Sequence, residues 1–320
     1  MHRLLRYASL WLVGLTTTLL AIPPANAQYT CAAPIADLTL SYDERGRPLV
    51  PVIIDDHSEV MLLDIGGGLS ALEMDLVREL ELPQNYSDIG MAVWTGDTSH
   101  LATQTNSFTL GAIERQDVGF MILPDYDYEL GAGEPVGILA LDFFAGNDLA
   151  FDFMADEFRV LPSYACAGLL EGDADENKAV LPILDSTAYY FSVPIFLDGI
   201  EIIGLLDTGA ENSVLNTDLA AQLFGIDISN PDDRMTLVNN FGRYRVYERR
   251  FDELRIGDIA IAEPNFELFP NLLRGRRWET PDGEIIGPAQ LIIGMDILNL
   301  FDLYLSLEAE RVVFSKRVRP

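Results

Sequence analysis

The chain contains two copies of one unit, and this constrains its fold more than any other feature. VPVIIDDHSEVMLLDIGGGLSAL, beginning at Val50, lies without a gap over the stretch beginning at Val193 that contains GLLDTGAENSVL. Pro51 then meets Pro194, Asp55 meets Asp198, Asp64 meets Asp207 and Ser70 meets Ser213, each pair 143 residues apart. Further on, LALDFFAGNDLAFDF lies over IGMDILNLFDLYLSL, so that Asp142 meets Asp296 and Asp148 meets Asp302, both 154 apart. A duplicated chain is to be read as two related units before any local feature is weighed.

Within the repeat, the chemistry gathers at one carboxylate per copy. The apolar run Ile202 to Leu206 ends in Asp207, followed by Thr208 and Gly209. A strand ending this way puts an acid at a turn where local donors can hold its oxygens. For one motif alone, a capping aspartate in a strand-to-helix turn is the favoured explanation; two aligned copies, Asp64 and Asp207, reverse that and point to a pair. Two carboxyls held a few ångströms apart cannot both ionise cheaply and share one proton.

Turn-bounded strands such as Leu49 to Ile54, Val60 to Leu63, Phe108 to Leu110 and Val118 to Leu123 predict an all-β body. Each copy adds one short helix after its Asp turn, predicted over Glu73–Leu82 and Thr217–Phe224, the latter capped by Asn216 or Thr217. The predicted layout is a leader over 1–27, an N-terminal lobe over 28–170, an acidic linker over 171–179 and a C-terminal lobe over 180–320.

The leader reading rests on Arg3 and Arg6, the apolar stretch Leu10 to Ile22 and Ala25-Asn26-Ala27, which together resemble a cleaved secretory signal. An uncleaved anchor would need roughly 20 apolar residues. The expectation is therefore a periplasmic or secreted protein with no membrane span once the leader is gone. A net charge of −29 repels nucleic acid and anionic lipid. There are two cysteines, Cys31 and Cys166. In an oxidising compartment they pair, stapling the N-terminal strand to the close of its own lobe, or else remain two buried thiols. Neither has metal-ligand spacing, and no metal or cofactor is expected.

The second copy resembles the retropepsin-like aspartic proteases, particularly bacterial members in which the Asp turn leads straight into a helix. The resemblance lies in Leu205 to Ala210, Ser213-Val214-Leu215, the short helix, and Ile292-Ile293-Gly294-Met295-Asp296-Ile297-Leu298. It implies two pseudo-twofold-related β-barrel lobes in a pepsin-like bilobal monomer, with Asp64 and Asp207 activating a water. Gly66, Thr208, Gly209 and Gly294 would support the catalytic loops, and a peptide or unfolded protein would be the substrate. Hairpin tips at Trp94 and Gly96, and at Phe241 and Gly242, would serve as flaps, although each reads equally well as a surface hairpin. Asn271 to Pro288, with Arg274, Arg276 and Arg277, reads as an extra loop with no assigned ligand.

The first copy departs from the pattern. Ile65 stands where a Thr or Ser would grip the facing loop, which is expected to leave Thr208 with one partner fewer. Ala140 stands where the second copy has Gly294 and is expected to crowd the supporting strand. Two readings therefore stay open: an exported aspartic endopeptidase, or a catalytically impaired relative that binds peptides or an exported protein. No Gly-x-Ser-x-Gly occurs, which sets a serine hydrolase aside.

Overall fold

The computed structural model describes residues 31–92, 98–123, 135–171, 176–184, 191–241, 244–269, 278–279, 285–286 and 291–317. The chain is all-β, with a few short helical segments. Alternation builds the outer strands: in Pro48–Ile54, Val50, Val52 and Ile54 turn inward while Pro51 and Ile53 face outward. Ile200–Leu206 behaves differently, with Ile202 through Leu206 all buried, because it lies inside a sheet and pairs in parallel with Leu291–Ile293.

Two sheets repeat one strand order. In the first half it runs Asn85–Ala92, Thr98–Leu110, Ile113–Ile122, Ala71–Leu72, Gly137–Leu139, His57–Leu63, Pro48–Ile54. In the second it runs Met235–Phe241, Tyr244–Arg250, Asn265–Phe269, Val214–Asn216, Leu291–Ile293, Ile200–Leu206, Ser192–Leu197. The register keeps the sequence offsets: Leu63 pairs with Leu139 as Leu206 pairs with Ile293, and Ala71 with Ile138 as Val214 with Ile292. Ile53 and Ile54 pair back onto Thr109 and Phe108, closing the first sheet into a barrel. Their counterparts Phe196 and Leu197 pair with Arg255 and Leu254. The single strand Thr98–Leu110 is thus matched by two, Tyr244–Arg250 and Glu253–Ile256.

A third sheet joins the halves, in the order Ala36–Thr39, Glu157–Pro162, Asn147–Asp152, Phe301–Ser306, Arg311–Lys316, Lys178–Pro182. At its centre Asp148 pairs with Ser306 and Asp152 with Asp302. By the 154-residue offset, Asp302 is the counterpart of Asp148 and Ser306 that of Asp152. The pairing is therefore self-complementary about Ala150 and Tyr304. The buried core runs through both halves, from Val50, Phe108 and Phe144 to Phe266, Phe301 and Phe314. Burying each such side chain stabilises by about 1.5–3 kcal/mol.

Cys31 and Cys166 form a disulfide with their Cα atoms 4.4 Å apart, closing a separation of 135 residues. In the chain-entropy picture such a closure stabilises by about 4–5 kcal/mol. Beside it, the Cys166 amide donates to the Tyr304 hydroxyl, which in turn donates to buried Asp148.

The second-half helix spans Thr217–Phe224 as expected, with the Asn216 side chain accepting from the Asp218 and Leu219 amides and Gly225 closing it at φ 66°. The first-half helix is shorter than the pattern predicted, Met74–Glu79. Glu81 takes a positive φ of 52° and the Leu82 amide turns back to the Val77 carbonyl, ending the helix before Leu82.

Candidate active site

Asp64 and Asp207 each stand one residue past a central strand, His57–Leu63 and Ile200–Leu206. Backbone bonds fix both positions alike: the Asp64 amide donates to the Leu139 carbonyl at 3.0 Å and the Asp207 amide to the Ile293 carbonyl at 3.0 Å. Each loop folds over its own carboxylate. Gly66 and Gly67 amides both donate to Asp64 Oδ1 at 2.8 Å, and the Gly209 amide donates to Asp207 Oδ1 at 2.8 Å.

A serine clasp holds each loop to the next segment of its own half. Ser70 Oγ donates to Asp142 Oδ1 at 2.6 Å and accepts the Ala140 amide at 3.0 Å. Ser213 Oγ donates to Asp296 Oδ1 at 2.7 Å and accepts the Gly294 amide at 3.0 Å. Asp142 and Asp296 sit in the first turns of Leu141–Phe144 and Met295–Leu298, where a negative charge meets the positive end of the turn. Sequence comparison paired these four residues by offset without giving them a role; their shared spacing was the available signal.

The two loops meet face to face. A Cβ on Gly209 would stand 2.7 Å from Asp64 Cγ, and one on Gly66 would overlap the Asp207 carboxyl, so each glycine supplies the surface on which the opposing acid rests. The two carboxyls lie close enough for each to act on the other's protonation. Both retain partial solvent exposure while surrounded by protein. Burial raises the pKa of Asp64 above its ordinary value of 3.8. Asp207 is raised well above it, first by burial and then by the charge of Asp64. Two carboxyls so placed cannot both ionise cheaply, and they titrate as a unit.

Thr208 and Ile65 lie between the loops, 0% and 1% exposed. Thr208 Oγ1 accepts the Ile65 amide at 3.1 Å and donates to the Leu63 carbonyl. The expectation that Ile65 would cost Thr208 a partner is therefore corrected. The hydroxyl of Thr208 keeps both cross-loop bonds because its partners, the Ile65 amide and the Leu63 carbonyl, are backbone groups that do not depend on the Ile65 side chain. What Ile65 cannot supply is a second hydroxyl making the reciprocal pair of bonds. The grip between the loops is built from one side.

The expected crowding at Ala140 is also resolved. Ala140 packs against Gly67, where an added Cβ would come 3.3 Å from Ala140 Cβ, whereas Gly294 packs against backbone: an added Cβ there would come 2.7 Å from the Asn212 carbonyl and 3.0 Å from the Ala210 carbonyl oxygen. Ala140 thus fits where it stands, while the backbone around Gly294 leaves no room for a side chain.

The structure thus brings together Asp64, Gly66, Asp207, Thr208, Gly209 and Gly294. Trp94, Gly96 and Gly242 lie outside the described residues, as do Arg274, Arg276 and Arg277. Phe241 ends the strand Met235–Phe241 and pairs with Tyr244 across a hairpin. The strands Asn85–Ala92 and Thr98–Leu110 likewise form a hairpin around the first expected tip. Arg47, which reaches the second loop from the first half, was not anticipated.

Fold and site together define an all-β protein that presents a proton-sharing carboxyl pair on two loops of like design. Residues 193–297, a span that includes Asp207, Thr208, Gly209 and Gly294, match the model of an aspartyl protease family. No curated protein matches the chain.

Proposed function

We propose that this chain is an exported aspartic endopeptidase acting as a bilobal monomer, with its leader over 1–27, one lobe over 28–170, a linker over 171–179 and the second lobe over 180–320. The observation that carries this reading is the face-to-face approach of the Asp64 and Asp207 loops, each acid held by its own loop amides and resting against the opposing glycine. The self-complementary pairing about Ala150 and Tyr304 supports a fusion of two related lobes, and the Cys31–Cys166 disulfide supports an oxidising destination.

In this mechanism a water sits between the carboxyls. The ionised member takes a proton from it as the oxygen attacks the scissile carbonyl carbon. The protonated member donates its hydrogen bond to the carbonyl oxygen, which becomes a hydroxyl of the tetrahedral intermediate. Collapse breaks the C–N bond as a proton passes to the leaving nitrogen, and the pair returns to its singly protonated state. The reaction needs no covalent enzyme intermediate and no cofactor. The substrate is a peptide or unfolded protein in extended form, laid beneath the hairpins that carry the expected flap residues Trp94, Gly96, Phe241 and Gly242.

Ile65 favours a second reading, in which a loosened grip has ended turnover and the cleft binds peptides or an exported protein. One experiment separates the two: digestion of unfolded protein by the purified chain from pH 3 to 8, beside Asp207→Asn. Cleavage by the wild type alone supports the peptidase. Peptide binding with no cleavage at any pH supports the binder, and equal cleavage by both proteins rules out the carboxyl pair.

A further inference from the structure

Arg47 is a buried arginine, 4% exposed, at the end of the turn Asp43–Arg47 that leads into Pro48–Ile54. Asp43 holds it firmly: Arg47 Nε donates to Asp43 Oδ2 at 2.6 Å, and the Arg47 amide donates to Asp43 Oδ1 at 2.8 Å. From this anchorage Nη1 reaches across to the Gly209 carbonyl at 3.5 Å. Gly209 is the residue whose Cα rests against the Asp64 carboxyl. The guanidinium therefore lies behind the thin glycine wall of the site, on the side of Asp64.

The groups that face each acid differ accordingly. Asp64, raised first by burial, meets the Gly66 and Gly67 amides, the Asp207 carboxyl and the positive charge of Arg47, partly offset by Asp43, all of which favour its ionised form. Asp207 meets the Gly209 and Ala210 amides and the negative charge of Asp64, which disfavours its own. By the 143-residue offset, the counterparts of Arg47 and Asp43 are Tyr190 and Ser186, so the second copy carries no such ion pair at these positions. The hairpin register, Leu49 on Leu62 and Ser192 on Leu205, keeps that offset two residues further on. Among the described residues, two loops of like design are thus placed in unlike fields.

We propose that Arg47 is a positioning residue that assigns the roles within the pair, holding Asp64 as the ionised base and leaving the shared proton on Asp207 as the acid. The inference rests on the peptidase reading of this site for its catalytic meaning. The asymmetry itself is a property of the carboxyls and is measurable without turnover.

The test uses the full mature chain as wild type, as Arg47→Lys, and as the double variant Asp43→Asn/Arg47→Met, which leaves no unpaired charge buried. Carbon-13 NMR of the aspartate carboxyls reports which member of the pair titrates first, whether or not peptide is cleaved. In the wild type Asp64 should ionise first. In the double variant the first ionisation should move up, by less than the roughly 1 pH unit of a lone neighbouring charge because Asp43 offsets part of the guanidinium, and Arg47→Lys should restore most of the shift. Where cleavage is measurable, the acid limb of the kcat/KM profile should move with it. A double variant whose melting temperature falls while the first ionisation stays in place would overturn the proposal and leave Arg47 a packing residue. An Arg47-dependent shift in a chain that cleaves nothing would uphold the asymmetry and refute the peptidase reading.

Discussion

The two halves carry the same site-building parts and differ in how those parts are tied together. Carboxylate, loop amides and serine clasp are repeated bond for bond, from Asp64, Gly66 and Ser70 to Asp207, Gly209 and Ser213. The divergence lies in the couplings. Among the described residues, only the second half contributes a gripping hydroxyl and only the first an arginine, and Ala140 stands where the second half needs Gly294. The lesson is that a duplicated site can lose symmetry in its connections while keeping it in its chemistry, since one Thr208 hydroxyl joins both loops through backbone groups.

The largest expected effect comes from the contact the halves share. Gly66→Ala and Gly209→Ala each drive a methyl into the opposing carboxyl, which separates the pair, and overpacking of this kind costs about 1–3 kcal/mol. Both variants should lose all measurable cleavage, read as initial rates on an unfolded substrate. Survival of activity in either would mean that the loops need not touch.

The one-sided grip predicts unequal responses next. Thr208→Val leaves the buried Ile65 amide and Leu63 carbonyl without their hydroxyl, at about 1–3 kcal/mol for each group left unpaired. Ile65→Val removes one methylene from a packed site, at about 0.5–1.5 kcal/mol. Urea denaturation of the two variants should give clearly different midpoints; equal losses would show that the hydroxyl does not bind the loops.

Burial of the pair also gives stability a definite pH dependence. Both carboxyls are raised above 3.8, so the folded chain holds a proton that the unfolded chain releases. That contribution is fully present below about pH 4 and is lost as the pH climbs through the titration of the folded pair. The urea midpoint should therefore fall with rising pH more steeply in the wild type than in Asp207→Asn. Parallel slopes would count against a shared proton.

The smallest effect concerns restored symmetry. Ile65→Thr adds a hydroxyl where the reciprocal bonds belong, worth about 0.5–1.5 kcal/mol, against a similar loss of apolar packing. Stability should stay nearly level while kcat rises. A fall in kcat would show that the single grip is already the better arrangement.

Much of this was legible in the sequence because the repeat reports on itself. The offsets of 143 and 154 reappear as strand register, and the acids at 64 and 207 meet as aligned. Three features were not legible, for physical reasons. Helix Met74–Glu79 stops early through a left-handed Glu81, a backbone state that apolar periodicity does not encode. The room for Ala140 beside Gly67 and the lack of it at Gly294 depend on how each loop's backbone folds back on it. Arg47 acts through Gly209, 162 residues away in sequence, so no local pattern announces it.

The most direct measurement of the central claim, that Asp64 and Asp207 act as one unit, compares kcat/KM for Asp64→Asn, Asp207→Asn and the double variant. Removing either member destroys the shared proton, so each single variant should fall by at least about 10²–10⁴-fold. The double variant should fall no further than the worse single one, and all three should keep their fold. A single variant that retains the wild-type kcat/KM, or losses that multiply in the double variant, would contradict the account.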